Sequence, residues 1–188
     1  MRNKSDPARQ GDFDGACGFY AIGNSLSLLY PKLSTDKIFY NIFSFYINYY
    51  GDATRIINGI YRGVLNKVLQ ETINILELPC ELYRPFWNFP ASSIKEVHNT
   101  LLNYEIGVSA VAILGYEYSK DGEDDHSSHW TVLKKITAKS LWTFDSSDEY
   151  KRLPISKCRI WDNKSKHKSR PYKISSTDLF LIISSEDA

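Results

Sequence analysis

The sequence predicts an α+β fold, with helices in the first half of the chain and an antiparallel sheet in the second half. Four stretches in the first half have apolar positions that recur with the helical period of about 3.6 residues. The second half contains short runs rich in β-branched and aromatic residues, separated by turn-forming residues. Helices followed by an antiparallel sheet indicate the α+β class. We expect one domain over residues 1–188, with a helical part at about 12–105 and a sheet part at about 106–186.

The first two predicted helices have recognisable start and stop signals. One spans residues 17–29 and is ended by Pro31. The next begins at Ser34 or Thr35, whose side chains can cap a helix, and is ended by Gly51. These boundaries predict two consecutive amphipathic helices.

Two further helices are predicted before the sheet. One covers residues 53–76, although two glycines inside it lower its helix propensity. The other covers residues 92–104, where Glu96 can close a capping box on Ser93. The predicted strands then follow at residues 108–118, 130–136, 140–144, 156–161 and 179–184. A turn near Lys139 predicts that the second and third of these strands form an antiparallel hairpin.

Composition excludes several classes of protein. Hydrophobic residues make up 43% of the chain and charged residues 24%, so the chain can bury a core. The net charge of +1 gives no bulk electrostatic attraction to nucleic acid. Three cysteines without CxxC spacing predict neither a disulfide framework nor a zinc site, and the acidic segment lacks the ligand spacing of a calcium-binding EF-hand. We therefore expect no metal and no cofactor.

The chain shows no signal peptide and no apolar stretch long enough to span a membrane. We expect a protein that is cytoplasmic, or exported by a system that needs no signal peptide. Its expected partner is a protein or peptide substrate rather than nucleic acid, and its oligomeric state is left open.

Charge is unevenly distributed along the second half. Residues 117–128 hold five acidic side chains and one lysine, whereas residues 151–173 hold nine basic side chains and one aspartate. Solvated surface loops would explain both segments. The alternative is that the acidic segment, which leads directly into His129, favours substrates with Lys or Arg near the bond that reacts.

Three segments contain residues suited to nucleophilic catalysis. Cys17 follows a Gly/Asp-rich turn at the predicted start of a helix, where the free N–H groups stabilise a thiolate, and Gly18 would leave the turn open to substrate. His129 begins a predicted strand and could act as general base and acid; His126, in the acidic segment, is the competing candidate. Asp145 ends the next strand and could orient the imidazole of His129. Each residue alone also has a structural interpretation without catalysis. Cys17 could be a buried thiol, His129 a structural histidine and Asp145 a turn aspartate.

Together, these motifs resemble those of papain-like cysteine peptidases. Gln10 followed by Asp-Gly-Ala-Cys-Gly-Phe-Tyr-Ala resembles the Gln…Cys-Gly…Ala block of that superfamily. His-Trp-Thr-Val-Leu followed by Trp-Thr-Phe-Asp-Ser resembles a block of C39-like bacterial peptidases. Ala16 and Ser146 depart from the residues usual in those blocks.

The resemblance implies a papain-like fold, with a helical lobe that carries the cysteine and an antiparallel sheet that carries the histidine and aspartate. It implies that Cys17 is the nucleophile, His129 the base and acid, Asp145 the orienting residue and Gln10 an oxyanion donor. The implied reaction is amide hydrolysis through a thioester, as in a bacterial effector, a toxin or a cytosolic processing peptidase. Two alternatives stay open: acyl transfer or deamidation with the same triad, and a binding module without catalysis.

Overall fold

The computed structural model describes residues 6–9, 15–119, 127–147, 151–160 and 169–185. In these ranges the chain is a mixed α/β protein with five α-helices and an open antiparallel sheet. The helices are α1 (Cys17–Leu29), α2 (Thr35–Tyr50), α3 (Thr54–Asn58), α4 (Arg62–Ile75) and α5 (Ile94–Leu102). The strands are β1 (Cys80–Tyr83), β2 (Ala110–Tyr118), β3 (Ser127–Thr137), β4 (Ser140–Thr143), β5 (Arg152–Pro154), β6 (Cys158–Ile160) and β7 (Tyr172–Ser184).

The strands are ordered β1-β7-β2-β3-β4-β5, and β6 pairs with β7 outside this path. The β6–β7 pair is parallel, and the pairs along the main path are antiparallel. The two longest strands, β3 and β7, lie on either side of β2. Strand β2 is therefore central, and it is buried on both faces over Ala110–Tyr116.

Side chains of β2 alternate between two hydrophobic cores, as the two-residue period of a strand requires. Val111 and Ile113 pack with α1, α2 and α4, whereas Ala112 and Leu114 pack with α5. Burial of each large aliphatic or aromatic side chain contributes about 1.5–3 kcal/mol. The sheet is thus held between the helices that precede β1 on one face and α5 on the other.

The first two helices are confirmed. Helix α1 spans Cys17–Leu29, as predicted. Helix α2 ends at Gly51, which has a φ of 63° in the left-handed region that glycine adopts without strain. At α5, the Oγ of Ser93 accepts a hydrogen bond from the Glu96 N–H at 3.2 Å. The Glu96 carboxylate returns to the N–H of Ser92 at 2.8 Å, so the predicted capping box closes one residue earlier than expected.

The prediction of a single helix over residues 53–76 is wrong. The segment divides into α3 and α4, and Gly59 between them has a φ of 86°. A helix cannot continue through this left-handed conformation. The break is important because it allows residues 58–62 to form one wall of the cleft described below.

The sheet also differs from the prediction in its edges. Strand β1 lies in the part of the chain predicted as helical and pairs with β7, with Cys80 opposite Ser184. Residues 155–157 form a 3₁₀ turn instead of the start of a strand, and β7 begins seven residues before the predicted strand at 179–184. The β3–β4 hairpin is confirmed, with Thr137 opposite Ser140. Across the described ranges, no helix is long and apolar enough to cross a membrane.

Candidate active site

Cys17 is the first residue of α1, and its side chain lines a cleft of about 930 Å³. The cap residue, Ala16, has no side-chain group for the first-turn N–H groups, which also lack carbonyl partners within the helix. The N-terminus of α1 therefore offers backbone donors beside the thiol. Only 8% of the Cys17 surface is exposed, so a substrate reaches the sulfur only by entering the cleft.

His129 lies on β3, directly opposite Tyr116 of β2. The two rings pack edge to face with their centroids 5.6 Å apart, which fixes one face of the imidazole. The exposed fraction of the His129 side chain is 17%. His129 lines the same cleft as Cys17, and the interaction with Cys17 contributes to the raised pKa of the imidazole.

Asp145 follows β4, and its carboxylate binds the imidazole of His129. The Nε2 atom of His129 lies 2.9 Å from Oδ1 and 3.1 Å from Oδ2 of Asp145. The preceding residue, Phe144, donates its N–H to the Val132 carbonyl at 2.7 Å, and this bond holds the end of β4 against β3. The backbone N–H and the hydroxyl of Ser147 each donate to Oδ1 at 2.8 Å. Ser147 therefore positions the carboxylate, and the carboxylate positions the ring.

These contacts determine the charge of the pair. Burial by itself lowers the pKa of His129, but hydrogen bonds and charge interactions with Asp145 and Cys17 outweigh it and raise that pKa from 6.5 to about 10. Burial by itself raises the pKa of Asp145, yet His129 and the Ser147 N–H hold it below its ordinary value. At neutral pH the pair is an imidazolium and a carboxylate. It stabilises the fold most between the ordinary pKa values of Asp145 and His129, and this contribution is lost as pH rises towards 10.

We expect Asp145→Asn to lower the pKa of His129, because the neutral amide no longer stabilises the imidazolium. The change should be followed by NMR titration of the His129 ring in the two proteins. An unchanged titration curve for Asp145→Asn would contradict the assignment of the His129–Asp145 pair.

Trp130 and Ile60 hold the two walls of the cleft together. The indole N–H of Trp130 donates to the Ile60 carbonyl at 2.9 Å, in the segment between α3 and α4. A Cβ atom at Gly18 would lie 2.5 Å from Ile60 Cγ1 and 3.3 Å from Trp130 Cδ1. The expectation that Gly18 leaves the turn open to substrate is therefore wrong, because Ile60 and Trp130 occupy that space. Gly18 instead allows α1 to approach these two residues closely.

Gly15 makes a similar approach just before the candidate nucleophile. A Cβ atom there would lie 2.2 Å from the Ile57 carbonyl oxygen and 2.5 Å from the Gly59 nitrogen. These are backbone atoms, so a side-chain rotation cannot relieve the clash. The close contact between Gly15 and residues 57–59 places the turn before Cys17 against the cleft wall.

We expect Gly15→Ala to destabilise the protein by about 1–3 kcal/mol, because either the 57–59 backbone or the Cys17 turn must move. Urea unfolding measures the change in free energy. Gly63→Ala is the matched control: it lies in α4, where a Cβ atom meets only the Tyr61 ring, at 3.0 Å, and alanine raises helix propensity. Equal stabilities for the two variants would show that the Gly15 contact is unimportant.

Some sequence-predicted positions lie outside the described residues: Gln10, His126 and most of the acidic segment, residues 120–126. At the ends of that segment, Glu117 and Ser128 line the cleft. The structure brings together Cys17, His129 and Asp145, which the sequence singled out. Three residues of the site were not predicted from the sequence: Ser147, Ile60 and Trp130. Only for Trp130 did the sequence contain a signal, because this residue directly follows His129.

No family model matches the chain, and no curated protein matches its sequence. In the described parts of the chain, no group of three or more His, Cys, Asp and Glu side chains is placed to hold a metal ion. The arrangement at the cleft is thus a thiol at the N-terminus of a helix, an imidazole that lines the same cleft, and a carboxylate hydrogen-bonded to that imidazole.

Proposed function

We propose that this protein is a cysteine peptidase that hydrolyses an amide bond through a Cys17–His129–Asp145 triad. The observation that carries the proposal is that Cys17 and His129 line one cleft and that the Asp145 carboxylate is hydrogen-bonded to Nε2 of His129. The three residues come from α1, β3 and the end of β4, so the fold brings together positions 128 residues apart. A papain-like arrangement, with a helix that presents the thiol to a sheet that presents the base, belongs to this proposal.

The two ring nitrogens of His129 have different roles in this proposal. Nε2 is bound to Asp145, so Nδ1 is the nitrogen available to the Cys17 sulfur. Transfer of the thiol proton to Nδ1 gives a thiolate beside an imidazolium, which Asp145 stabilises. The high pKa of His129, about 10, means that the ring holds this proton at neutral pH.

The reaction then proceeds in two steps. The thiolate forms a C–S bond with the substrate carbonyl carbon, and the carbonyl oxygen becomes an oxyanion next to the Cys17 N–H. The C–N bond breaks as Nδ1–H protonates the leaving amine, which leaves a thioester. Water next gives a proton to Nδ1 and attacks the thioester, and the C–S bond breaks to release the acid. Each oxyanion donor in such a site contributes about 3–4 kcal/mol to transition-state stabilisation; Gln10 is proposed as the second donor.

One observation favours a second candidate, a binding module without catalysis: Cys17 is 92% buried. A buried thiol that no reagent reaches would suit such a module. Native alkylation with iodoacetamide separates the two candidates, because the peptidase requires rapid labelling of Cys17 through the cleft.

The experiment that tests the function compares wild type with Cys17→Ala. Each protein is incubated with a bacterial and a eukaryotic lysate, and new N-termini are mapped by mass spectrometry. Hydrolysis predicts cleavage sites that occur only with wild type. A parallel incubation with an added primary amine tests transglutaminase-like acyl transfer from a glutamine side-chain amide, which would give amine-modified products without new N-termini. Identical peptide maps for the two proteins in every incubation would reject the proposed function.

A further inference from the structure

The pairing of β2 with β7 is interrupted in the cleft. Leu114 pairs with Leu179, but the next residue of β2, Gly115, pairs with Ser175. Residues 176–178 therefore have no partner in β2 and form a bulge, a feature that commonly redirects side chains near functional sites. All three residues line the cleft that contains Cys17 and His129.

The bulge is anchored from the α5 side of the sheet. The Ser176 hydroxyl accepts a hydrogen bond from the Ala91 N–H at 3.0 Å, and Ser176 is 4% exposed. Within the bulge, the Ser175 hydroxyl lies 3.4 Å from the Thr177 hydroxyl. These contacts hold the bulge that carries Asp178.

Gly115 makes room for that carboxylate. A Cβ atom at Gly115 would lie 2.8 Å from Asp178 Cβ, 3.3 Å from Asp178 Oδ2 and 3.2 Å from Trp130 Cζ3. Asp178 thus lies against the β2 backbone, beside the ring of the residue that follows His129. A larger residue at position 115 would displace the carboxylate from this part of the cleft.

The Asp178 carboxylate has no ion-pair partner within 4 Å among the residues that the structure describes. Arg62 is the cation that acts on it, but no ion pair within 4 Å joins them in the described part of the chain, and the Arg62 guanidinium lies 5.2 Å from the centre of the Trp87 ring. Burial holds the pKa of Asp178 above its ordinary value, and Ser175 and Arg62 offset this effect only in part. The other described carboxylate that lines the cleft, Glu117, is paired with Lys173 at 3.3 Å.

We propose that Asp178 forms a specificity subsite for a positively charged substrate side chain, a lysine or arginine near the amide that Cys17 attacks. A partly buried carboxylate without an ion-pair partner gains a charge-assisted hydrogen bond when an ammonium or guanidinium group enters. The subsite rests on the proposed function for its link to catalysis, but its effect on binding is measurable without turnover. It is also distinct from the acidic segment before His129, because Asp178 lies inside the cleft on β7.

The test is protection of Cys17 from iodoacetamide by peptides. One lysine, or the uncharged norleucine, is placed in turn at each position of an otherwise identical short peptide. With wild type, the best lysine peptide should protect Cys17 at a concentration at least about tenfold lower than its norleucine counterpart, and added salt should reduce the difference. Asp178→Asn should remove the difference. Glu117→Gln, which removes an ion-paired carboxylate from the same cleft, should retain it.

Two further measurements distinguish loss of the subsite from misfolding of the variant. The alkylation rate without peptide and the thermal midpoint show whether Asp178→Asn keeps a native cleft. If Asp178→Asn does not keep a native cleft, Asp178→Glu is used instead; it preserves the charge and should keep part of the lysine preference. A lysine preference that persists in Asp178→Asn, or is absent from wild type, would overturn the subsite. Cleavage of the same peptides is scored separately. Lysine-dependent protection without cleavage would reject the hydrolytic function and support the subsite. Cleavage without a lysine preference would support the hydrolytic function and reject the subsite.

Discussion

Replacement of Cys17 by alanine should reduce amide hydrolysis by roughly 10⁴-fold or more, because it removes the atom that forms the thioester. The residual rate would come from backbone donors and substrate binding alone. The measurement is kcat/KM on a cleaved peptide, together with the free energy of unfolding to show that the variant folds. Serine at position 17 should be nearly as inactive, because its hydroxyl is a much weaker nucleophile than a thiolate.

The other two cysteines provide the controls. Burial raises the pKa of Cys80 and raises that of Cys158 to about 12, so both remain protonated thiols at neutral pH. The Cys158 thiol also donates to the Pro154 carbonyl at 3.2 Å. Cys80→Ala should therefore retain full activity, and native iodoacetamide should label Cys17 ahead of the other two. Full activity in Cys17→Ala, or equal labelling of the three cysteines, would refute Cys17 as the nucleophile.

His129→Ala should lower kcat/KM by at least about 10³-fold, because no other described group in the cleft is placed both to accept the thiol proton and to return it to the leaving amine. The same change should slow alkylation of Cys17, since the thiolate loses the imidazolium that stabilises it. A stopped assay and a labelling time course measure the two effects. The coupled loss is expected because Asp145 is hydrogen-bonded to His129, and both Asp145 and Cys17 contribute to the raised pKa of the imidazole.

His126→Ala is the matched control for the base. It lies three residues before His129 in the acidic segment, and the variant should retain most of the activity. If His126→Ala were inactive and His129→Ala active, the role of base would move to the acidic segment. The contacts of His129 with Asp145 would then be structural.

The local features of the fold could be predicted because local residues cause them. The apolar period from Cys17 to Leu29 is sufficient for α1, and a left-handed glycine at position 51 is sufficient to end α2. The β3–β4 hairpin follows from two strand-forming runs joined by a short turn. This hairpin also explains why the proximity of His129 and Asp145 was predictable, since two strands joined by a tight turn must pair.

The contacts between distant segments were decided by the tertiary structure. Composition alone does not show that residues 172–175 belong to β7, because their strand conformation depends on pairing with β2 and β6. The split between α3 and α4 similarly places Ile60 beneath the Trp130 indole, 70 residues away in sequence.

The sequence by itself thus determined α1, α2, α5, the β3–β4 hairpin and the three residue types of the candidate triad, because each depends on side chains close in the chain. The tertiary structure decided that Cys17 meets His129, that Gly15 and Gly18 serve close packing, and that the bulge in β7 brings Asp178 into the cleft. The physical reason is that these arrangements depend on burial and steric fit between segments up to 112 residues apart, the separation of Cys17 and His129. Local propensity does not encode such fits, since the same residues could adopt other partners in another fold.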